Sequence, residues 1–227
     1  MTTTLITGAN KGLGKETARQ LIAEGHTVYV GARDEARGRT TADELGARFV
    51  QLDVTDDESV AAALASIDAD GGLDVLVNNA GIAMIALNGP DARAMFDTNA
   101  VGVIRVTEAA LPLLKKSANP VVVNVSSALG SFAANHDPAR PASQYVAIVY
   151  GATKAAVSML TVQYARAVPE VKFNAVEPGY SNTDLGDVDH STGRAVEISA
   201  QVIVRMATIG SDGPTGTFHE DVGELAW

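Results

Sequence analysis

The chain has 227 residues, 46% of them apolar, and its length predicts a single domain over residues 1–227. It has no cysteine, which excludes disulfides, thiolate metal sites and cysteine nucleophiles. Its formal net charge of −10 argues against nucleic-acid binding. The sequence has neither an apolar run long enough to span a membrane nor a signal-peptide pattern, so we expect a cytoplasmic protein.

Apolar strand patterns alternate with longer helical patterns along the chain. The predicted strands are Thr3–Thr7, Thr27–Ala32, Arg48–Leu52, Asp74–Asn78, Pro120–Ser126, Val171–Val176 and Thr217–His219. The predicted helices are Lys11–Glu24, Glu35–Leu45, Asp56–Ala69, Pro90–Lys116, Tyr150–Ala167 and Arg194–Ile209. Because apolar strands that alternate with helices form covered parallel sheets, we predict an α/β, doubly wound Rossmann fold. Its sheet would be mostly parallel and seven-stranded, with helices on both faces.

The first predicted strand runs into a glycine-rich turn that opens the first helix. Gly8, Gly12 and Gly14 lack the Cβ atoms that would keep a pyrophosphate away from the free N–H groups of the helix. A P-loop does not fit, because Lys15 is followed by Glu16 rather than by serine or threonine. The turn therefore indicates a dinucleotide site, although a purely structural glycine turn explains this pattern equally well.

The end of the second predicted strand indicates which nucleotide would bind. An acidic residue at this place holds the ribose of NAD, whereas an arginine accommodates the 2′-phosphate of NADP. Arg33 stands there, and Lys11 in the glycine turn supplies a second cation. Asp34 is the competing residue, but it also fits the N-cap of the helix that begins at Glu35. Because two cations can converge on one phosphate, we predict NADP(H).

Four motifs follow one another along the chain. They are Thr7-Gly8-x-x-x-Gly12-x-Gly14, Asn78-Asn79-Ala80-Gly81, Tyr150-x-x-x-Lys154 and Pro178-Gly179. In this order the chain resembles the short-chain dehydrogenase/reductase family over nearly its whole length, and residues 9–12, 32–34 and 216–227 resemble its NADPH-dependent carbonyl reductase branch. The resemblance implies an NADP(H)-dependent oxidoreductase that interconverts a carbonyl and an alcohol.

The resemblance also implies roles for single residues. Ser127, Tyr150 and Lys154 would be catalytic, and Asn99 would hold a helix kink and a water in a proton relay. The implied cofactor-binding residues are Gly8, Asn10, Lys11, Gly12, Leu13, Gly14, Arg33, Asp53, Val54, Asn79, Ala80, Gly81, Tyr150, Lys154, Pro178, Gly179 and Thr183. Asn99 could instead be an ordinary helix residue, and Asp53 could be a turn residue before the next helix.

The implied catalytic residues suit proton transfer. Tyr150 and Lys154 are four residues apart and share a helix face, so the ammonium, together with the positive charge of an oxidised nicotinamide, would lower the pKa of the phenol. Tyr150 would then give a proton to a carbonyl oxygen or take one from an alcohol. Ser127 would hydrogen-bond the substrate oxygen where charge develops, with Ser126 as the alternative serine. A tyrosine and a lysine at this spacing are otherwise a common solvated pair.

One segment departs from the usual family pattern. Tyr150 follows Ser127 by 23 residues, a longer gap than in most of the family, and the extra residues lie around Phe132–Tyr145. Insertions here can obstruct the helix surface used for oligomerisation in the carbonyl reductase branch, so a homo-oligomer is possible but in doubt. The four histidines show no metal-ligand spacing, and we predict no metal.

The partner is expected to be a small-molecule carbonyl or alcohol. The candidate pocket walls are Leu129, Phe132, His136, Tyr145 and Tyr180. The polar loop 180–194 is predicted to close over bound NADPH, with a rigid surface loop as the alternative. Two other functions stay open: an NADP(H)-binding sensor or scaffold without turnover, and an enoyl reductase or dehydratase of the same family.

Overall fold

A computed structural model describes residues 2–84, 88–186 and 192–227 of the protein. The strands are β1 Thr3–Thr7, β2 Thr27–Ala32, β3 Arg48–Gln51, β4 Val75–Asn78, β5 Val121–Val125, β6 Lys172–Val176, β7 Thr217–Glu220 and β8 Gly223–Glu224. The α-helices are α1 Gly12–Ala23, α2 Glu35–Leu45, α3 Asp57–Ala69, α4 Gly89–Phe96, α5 Gly102–Leu114, α6 Phe132–His136, α7 Ile148–Ala167 and α8 Val196–Ala207.

The strands of these ranges form one sheet in the order β3-β2-β1-β4-β5-β6-β7-β8. Strands β1 to β7 pair in parallel, and β1 lies between β2 and β4, where the chain reverses its direction of progress across the sheet. This confirms the doubly wound Rossmann fold and places a crevice at the carboxyl ends of β1 and β4. The predicted count of seven strands was wrong by one, because the chain turns back after β7 and adds the two-residue antiparallel strand β8.

Two apolar layers cover the sheet. Leu5, Leu76 and Phe173 point to the face covered by α3, α5 and α7, whereas Ile6, Val77 and Ile203 belong to the layer under α1, α2 and α8. Neighbouring residues of one strand enter opposite layers because side chains alternate along a strand. The near-continuous apolar strands of the sequence follow from this double coverage. None of the helices in the described ranges is long and apolar enough to span a membrane.

Most predicted elements agree with the structure within two residues, and one helix does not. The predicted helix Pro90–Lys116 is divided into α4 and α5 by a π-helical turn over Asp97–Val101. Helix α6 in the inserted segment was not predicted, nor were the 3-10 turns Ala128–Gly130 and Pro141–Gln144 that flank it.

Candidate active site

The glycine turn after β1 is fastened to the turn after β4. The Thr7 hydroxyl accepts hydrogen bonds from the backbone N–H groups of Asn79 and Ala80 at 3.0 and 2.9 Å. The Asn79 side chain donates to the carbonyl oxygens of Thr7 and Gly8 at 2.8 and 3.2 Å. These bonds join residues some 70 positions apart, so the first two motifs form one floor.

Two glycines of this floor are explained by close approach of the backbone. A Cβ on Gly14 would lie 2.5 Å from Asn79 Nδ2, and one on Gly8 would lie 3.0 Å from the Cα of Ala80. Gly12 differs, because its φ is +52° and Thr183, at 3.6 Å, is the only described residue near its absent Cβ. The structural interpretation therefore accounts for Gly8 and Gly14, while Gly12 leaves the first turn of α1 open toward Thr183, next to Leu13.

A cavity of about 390 Å³ lies beside the glycine turn. It is lined by Asn10, Lys11, Ala36, Arg37, Thr40 and Thr41. Arg37 was not singled out from the sequence, although its place in the first turn of a helix that follows β2 could have indicated it. The Thr41 hydroxyl donates to the Asn10 carbonyl at 3.0 Å and fixes the cavity wall. Lys11 also pairs with Asp184 at 3.5 Å, and both side chains are exposed.

At the end of β2 lie Arg33 and Asp34, the two residues that were candidates for a contact with the nucleotide. Asp34 is the N-cap of α2, and its side chain accepts from the Arg37 N–H at 3.0 Å. The capping interpretation of Asp34 is therefore correct, and its carboxylate is held at the helix start. Arg33 is exposed at the end of β2, and its positive charge helps to lower the pKa of Asp53.

Asp53 stabilises the turn that follows β3. Burial raises the pKa of its carboxyl, but hydrogen bonds from the Thr55 N–H and hydroxyl, at 2.9 and 2.7 Å, outweigh burial and leave the pKa lowered. Val54 packs under α5, where a Cβ on Gly102 would approach it to 3.0 Å. The turn-residue interpretation of Asp53 thus holds, and any contact with a nucleotide would come in addition.

Tyr150 and Lys154 share one face of α7 at the carboxyl edge of the sheet. Lys154 Nζ lies 5.5 Å from the centre of the Tyr150 ring and donates to the Val125 carbonyl at 2.7 Å. Lys154 is 4% exposed and Tyr150 is half-buried. A Cβ on Gly81 would lie 3.8 Å from Lys154 Nζ, so the β4 turn reaches the same place.

Burial governs the titration of this pair. It lowers the pKa of Lys154 to about 8, and the negative charge of Glu177 acts in the opposite direction. Burial and the charge of Glu177 both raise the pKa of Tyr150. Among the chain's own groups, desolvation of the phenolate dominates. The lower pKa of Tyr150 that we expect with Lys154 and a bound oxidised nicotinamide together stays a prediction.

The structure separates the two adjacent serines after β5. The Ser126 hydroxyl is buried, donates to the Lys154 carbonyl at 3.1 Å and bonds to Ser158 at 2.9 Å, so it ties β5 to α7. Ser127 is half-buried, and its oxygen accepts from the Leu129 N–H at 3.2 Å. Ser126 is thus held in contacts with α7, whereas Ser127 stays partly accessible.

Asn99 stands in the π-helical turn between α4 and α5 and is 1% exposed. Its side chain accepts from the Ile82 N–H at 2.8 Å and donates to the Ile82 carbonyl at 2.8 Å and to Thr153 at 3.1 Å. Asn99 therefore links the β4 turn to the residue that precedes Lys154. It is not an ordinary helix residue.

The turn at Pro178 and Gly179 closes the site on the β6 side. Gly179 has a φ of +82°, and a Cβ there would meet the Arg194 guanidinium at 3.0 Å. Arg194 and Ser181 form a β-bridge that brings the ends of the following loop together. The predicted closing loop 180–194 includes residues 187–191, which lie outside the described residues, and its closure stays a prediction.

The predicted pocket walls are largely at the surface. Phe132 is 73% exposed, Tyr145 is 64% exposed, and His136 and Tyr180 are exposed too. The inserted segment is anchored at its far side, where the Ser131 hydroxyl donates to the Ala226 carbonyl at 2.6 Å. Apolar side chains thus stand at the open side of the site.

Comparison with known proteins identifies the family. The family model described as short chain dehydrogenase matches residues 2–192. The chain is 32% identical to carbonyl reductase [NADPH] 1 of Sus scrofa, over 98% of this chain and 93% of that protein. It is 33% identical to serine 3-dehydrogenase of Agrobacterium fabrum, over 96% and 86%. The structure of NADPH-bound carbonyl reductase from chicken fatty liver superposes with a TM-score of 0.86 at 28% identity, covering 99% and 98% of the two chains.

The protein belongs to the short-chain dehydrogenase/reductase family. The resemblance seen in the four motifs is thereby confirmed, and the chain is an oxidoreductase of this family. The motifs, far apart in sequence, meet through the contacts described above: the glycine turn with Asn79, Gly81 with Lys154, and Gly12 with Thr183. Glu177, whose carboxylate accepts from the Ala128 N–H and the Gly179 N–H, is a further charged residue of this region that sequence analysis missed. Its signal was an acid directly before the Pro178-Gly179 motif.

Proposed function

We propose that the protein is an NADP(H)-dependent enzyme that interconverts a carbonyl and an alcohol in a small molecule, with Tyr150 as the general acid and base. The observation that carries the proposal is Lys154 Nζ held 5.5 Å from the Tyr150 ring and next to the Gly81 turn. A buried ammonium next to a half-buried phenol is a costly arrangement, and such perturbed pairs cluster at functional sites.

The chain's own groups account for the proton. Because the pKa of Tyr150 is raised, its hydroxyl stays protonated at neutral pH and can donate to a substrate oxygen. The Ser127 hydroxyl would hold that oxygen where charge develops. A bound NADPH would supply the hydride. Asn99, through Thr153 and the Ile82 backbone, would keep α7 and the β4 turn in register while the proton is replaced.

The cofactor would lie across the floor made by the glycine turn and the β4 turn. The absent Cβ atoms of Gly12 and Gly81 leave room there, with Leu13, Ala80 and Thr183 beside them. Lys11 and Arg37 line the side cavity, and Arg33 is exposed at the end of β2. These cations suit a 2′-phosphate because phosphate prefers converging charged donors. Asp53 and Val54 would flank the adenine, and Pro178 and Gly179 the nicotinamide. The similarity to two NADPH carbonyl reductases supports this choice of nucleotide.

The Tyr150→Phe variant tests the function. Turnover of a panel of ketones, aldehydes and quinones with NADPH should fall by at least about a hundredfold, while NADPH affinity stays within about twofold, because the hydroxyl acts in the transition state. The matched control is Tyr164→Phe on the same helix, whose hydroxyl donates to Glu108. Its turnover should stay at the wild-type level.

The two alternatives predict other results. A sensor or scaffold would bind NADPH and turn over nothing in the panel. An enoyl reductase would consume NADPH only with conjugated alkenes, and a dehydratase would eliminate water without consuming NADPH. Wild-type turnover retained by Tyr150→Phe would contradict the assigned proton donor.

A further inference from the structure

A carboxylate stands beside the candidate catalytic residues without a part in the proton step. Glu177 follows β6 directly and precedes Pro178. Its Oε1 accepts from the Gly179 N–H at 2.9 Å, and its Oε2 accepts from the Ala128 N–H. Ser127, the residue before Ala128, lies close enough for its hydroxyl to lower the pKa of this carboxyl. One side chain therefore fastens the serine turn after β5 to the Pro178-Gly179 turn after β6.

The charged neighbours of Glu177 come from each element around it. Helix α7 carries Tyr150 and Lys154, and the negative charge of Glu177 raises the pKa of both side chains. Strand β7 presents Glu220, which pairs with Arg140 of the inserted segment at 2.5 Å, and His219, whose carbonyl accepts the Glu177 N–H at 2.7 Å. Past Gly179, Arg194 is paired with Asp221 at 2.9 Å.

These pairings leave Glu177 with an uneven environment. The two nearby guanidinium groups are each paired with another carboxylate in the contacts just described. The buried ammonium of Lys154 has no carboxylate bond among those contacts, only the Val125 carbonyl. Glu177 is thus a negative charge placed on the Lys154 and Tyr150 side of the cluster.

A purely structural role explains only part of this arrangement. Two backbone N–H groups need acceptors, and a neutral hydroxyl or amide could accept them without the desolvation that a carboxylate suffers. Burial raises the pKa of Glu177, which shows that the carboxylate form is costly here. Hydrogen bonds from the Ala128 and Gly179 N–H groups lower the pKa of this carboxyl and relieve part of that cost.

We propose that Glu177 is a positioning residue of the active site: its carboxylate joins the serine turn after β5 to the Gly179 turn and places a negative charge on the Lys154 and Tyr150 side of the site. The catalytic consequence rests on the proposed function, whereas the electrostatic one does not. By holding the proton on Tyr150, Glu177 would favour carbonyl reduction over alcohol oxidation, since oxidation requires the phenolate.

The direction of the effect follows from Coulomb's law. Removing a negative charge makes an ammonium and a neutral phenol easier to deprotonate, so Lys154 and Tyr150 should both titrate at lower pH. The two direct shifts have the same sign, and because the pKa of Tyr150 lies above that of Lys154, Lys154 titrates while Tyr150 is still protonated.

The test is the Glu177→Gln variant with two readouts. NMR of protein labelled with 13C at the lysine ε-carbon, with the signal assigned by Lys154→Arg, follows the Lys154 titration without any substrate. Its midpoint should move down by about one pH unit. In turnover, the pH profile of alcohol oxidation with NADP⁺ should move in the same direction, and kcat for reduction should fall while NADPH affinity stays within about twofold.

Matched variants keep the result decisive. Glu224→Gln removes one charge from the exposed strand β8 and should leave the Lys154 titration unchanged. Glu177→Asp keeps the charge but shortens the reach, so it should restore most of the titration midpoint and not kcat. If Glu177→Gln does not fold, Glu177→Ala replaces it. A folded uncharged variant in which Lys154 titrates as in the wild type would overturn the proposal. If the wild-type protein turns over no carbonyl, the proposed function fails, while the Lys154 titration still decides the electrostatic role.

Discussion

Lys154 is a charged side chain kept in the interior of the protein. Its single described hydrogen bond goes to the Val125 carbonyl, and burial lowers its pKa to about 8 from an unfolded value of about 10.4. The folded state therefore binds fewer protons than the unfolded state between these two pH values. Stability rises with pH across that window, and the full cost of the buried charge is present below it.

Replacing Lys154 by methionine should therefore stabilise the fold and abolish turnover. At pH 7 the free energy of unfolding should rise by about 2 kcal/mol, from about 3 kcal/mol of relieved charge burial less about 1 kcal/mol for the lost hydrogen bond. The gain should disappear as the pH rises to about 10.4. Urea denaturation at pH 7 and 10 measures it, with the exposed Lys116→Met as control. An equal loss of stability at both pH values would contradict the prediction.

The residues that were predicted and those that were missed differ in a physical way. Asp34 and Tyr150 can be recognised from local spacing, because a helix cap or a shared helix face depends on residues within four positions. Glu177 becomes significant only when β5 and β6 pair and bring Ser127 beside it. The choice between Ser126 and Ser127 likewise depends on contacts with α7, about 30 positions away.

At the scale of elements, local signals fixed the strands and most helix ends. Helix α2 has the predicted bounds because Asp34 caps it and Gly46, with a φ of +66°, ends it. The π-helical turn at Asp97–Val101 has no comparable signal, since no proline or glycine interrupts those five residues. Asn99 lies in this wider turn, and its side chain bonds to the Ile82 backbone, which is a tertiary contact. The sequence alone therefore predicts a continuous helix.

The 3-10 turn Ala128–Gly130 packs closely on α7, and this contact leads to a prediction at the scale of elements. A Cβ on Gly130 would lie 2.4 Å from the Lys154 carbonyl carbon and 2.6 Å from the Ala155 nitrogen, both backbone atoms of α7. Gly130→Ala should destabilise the fold by about 1–3 kcal/mol and reduce turnover, because it pushes apart the elements that carry Ser127 and Tyr150.

The matched control is Gly89→Ala at the start of α4, where a Cβ would meet no atom of the described residues within 4 Å. Its thermal midpoint should stay within about 2 °C of the wild type. Thermal denaturation followed by circular dichroism compares the two variants. A Gly130→Ala protein as stable as Gly89→Ala would show that the turn can retreat from α7.

The whole molecule has a net charge of −10, but its charges are unevenly distributed along the chain. The first 50 residues hold seven Lys and Arg against six Asp and Glu, and the rest hold ten against twenty-one. Lys11 and Arg37 line the same cavity within that less acidic part. An anionic nucleotide is therefore expected to depend on these few cations for its affinity.

The whole-molecule prediction is a stability gain that depends on the nucleotide. At a hundred times its dissociation constant, NADPH should add about 2.7 kcal/mol and raise the thermal midpoint by about 5–10 °C. NADH at the same concentration should raise it less. The double variant Lys11→Ala with Arg37→Ala should lose most of the NADPH effect and little of the NADH effect. Lys15→Ala, which removes a cation paired with Glu44, serves as control. Equal losses for both nucleotides would contradict the assignment of a 2′-phosphate site.

The placement of β1 between β2 and β4 also has a kinetic consequence. Leu5 pairs with Leu76, and the floor of the crevice exists only after this pairing closes a loop of about 70 residues. Such non-local pairings form slowly, because the entropy of loop closure is spent before the contact stabilises the chain. During refolding, helical signal should return before the protein can retain a nucleotide. Recovery of NADPH fluorescence would then time the last step of assembly.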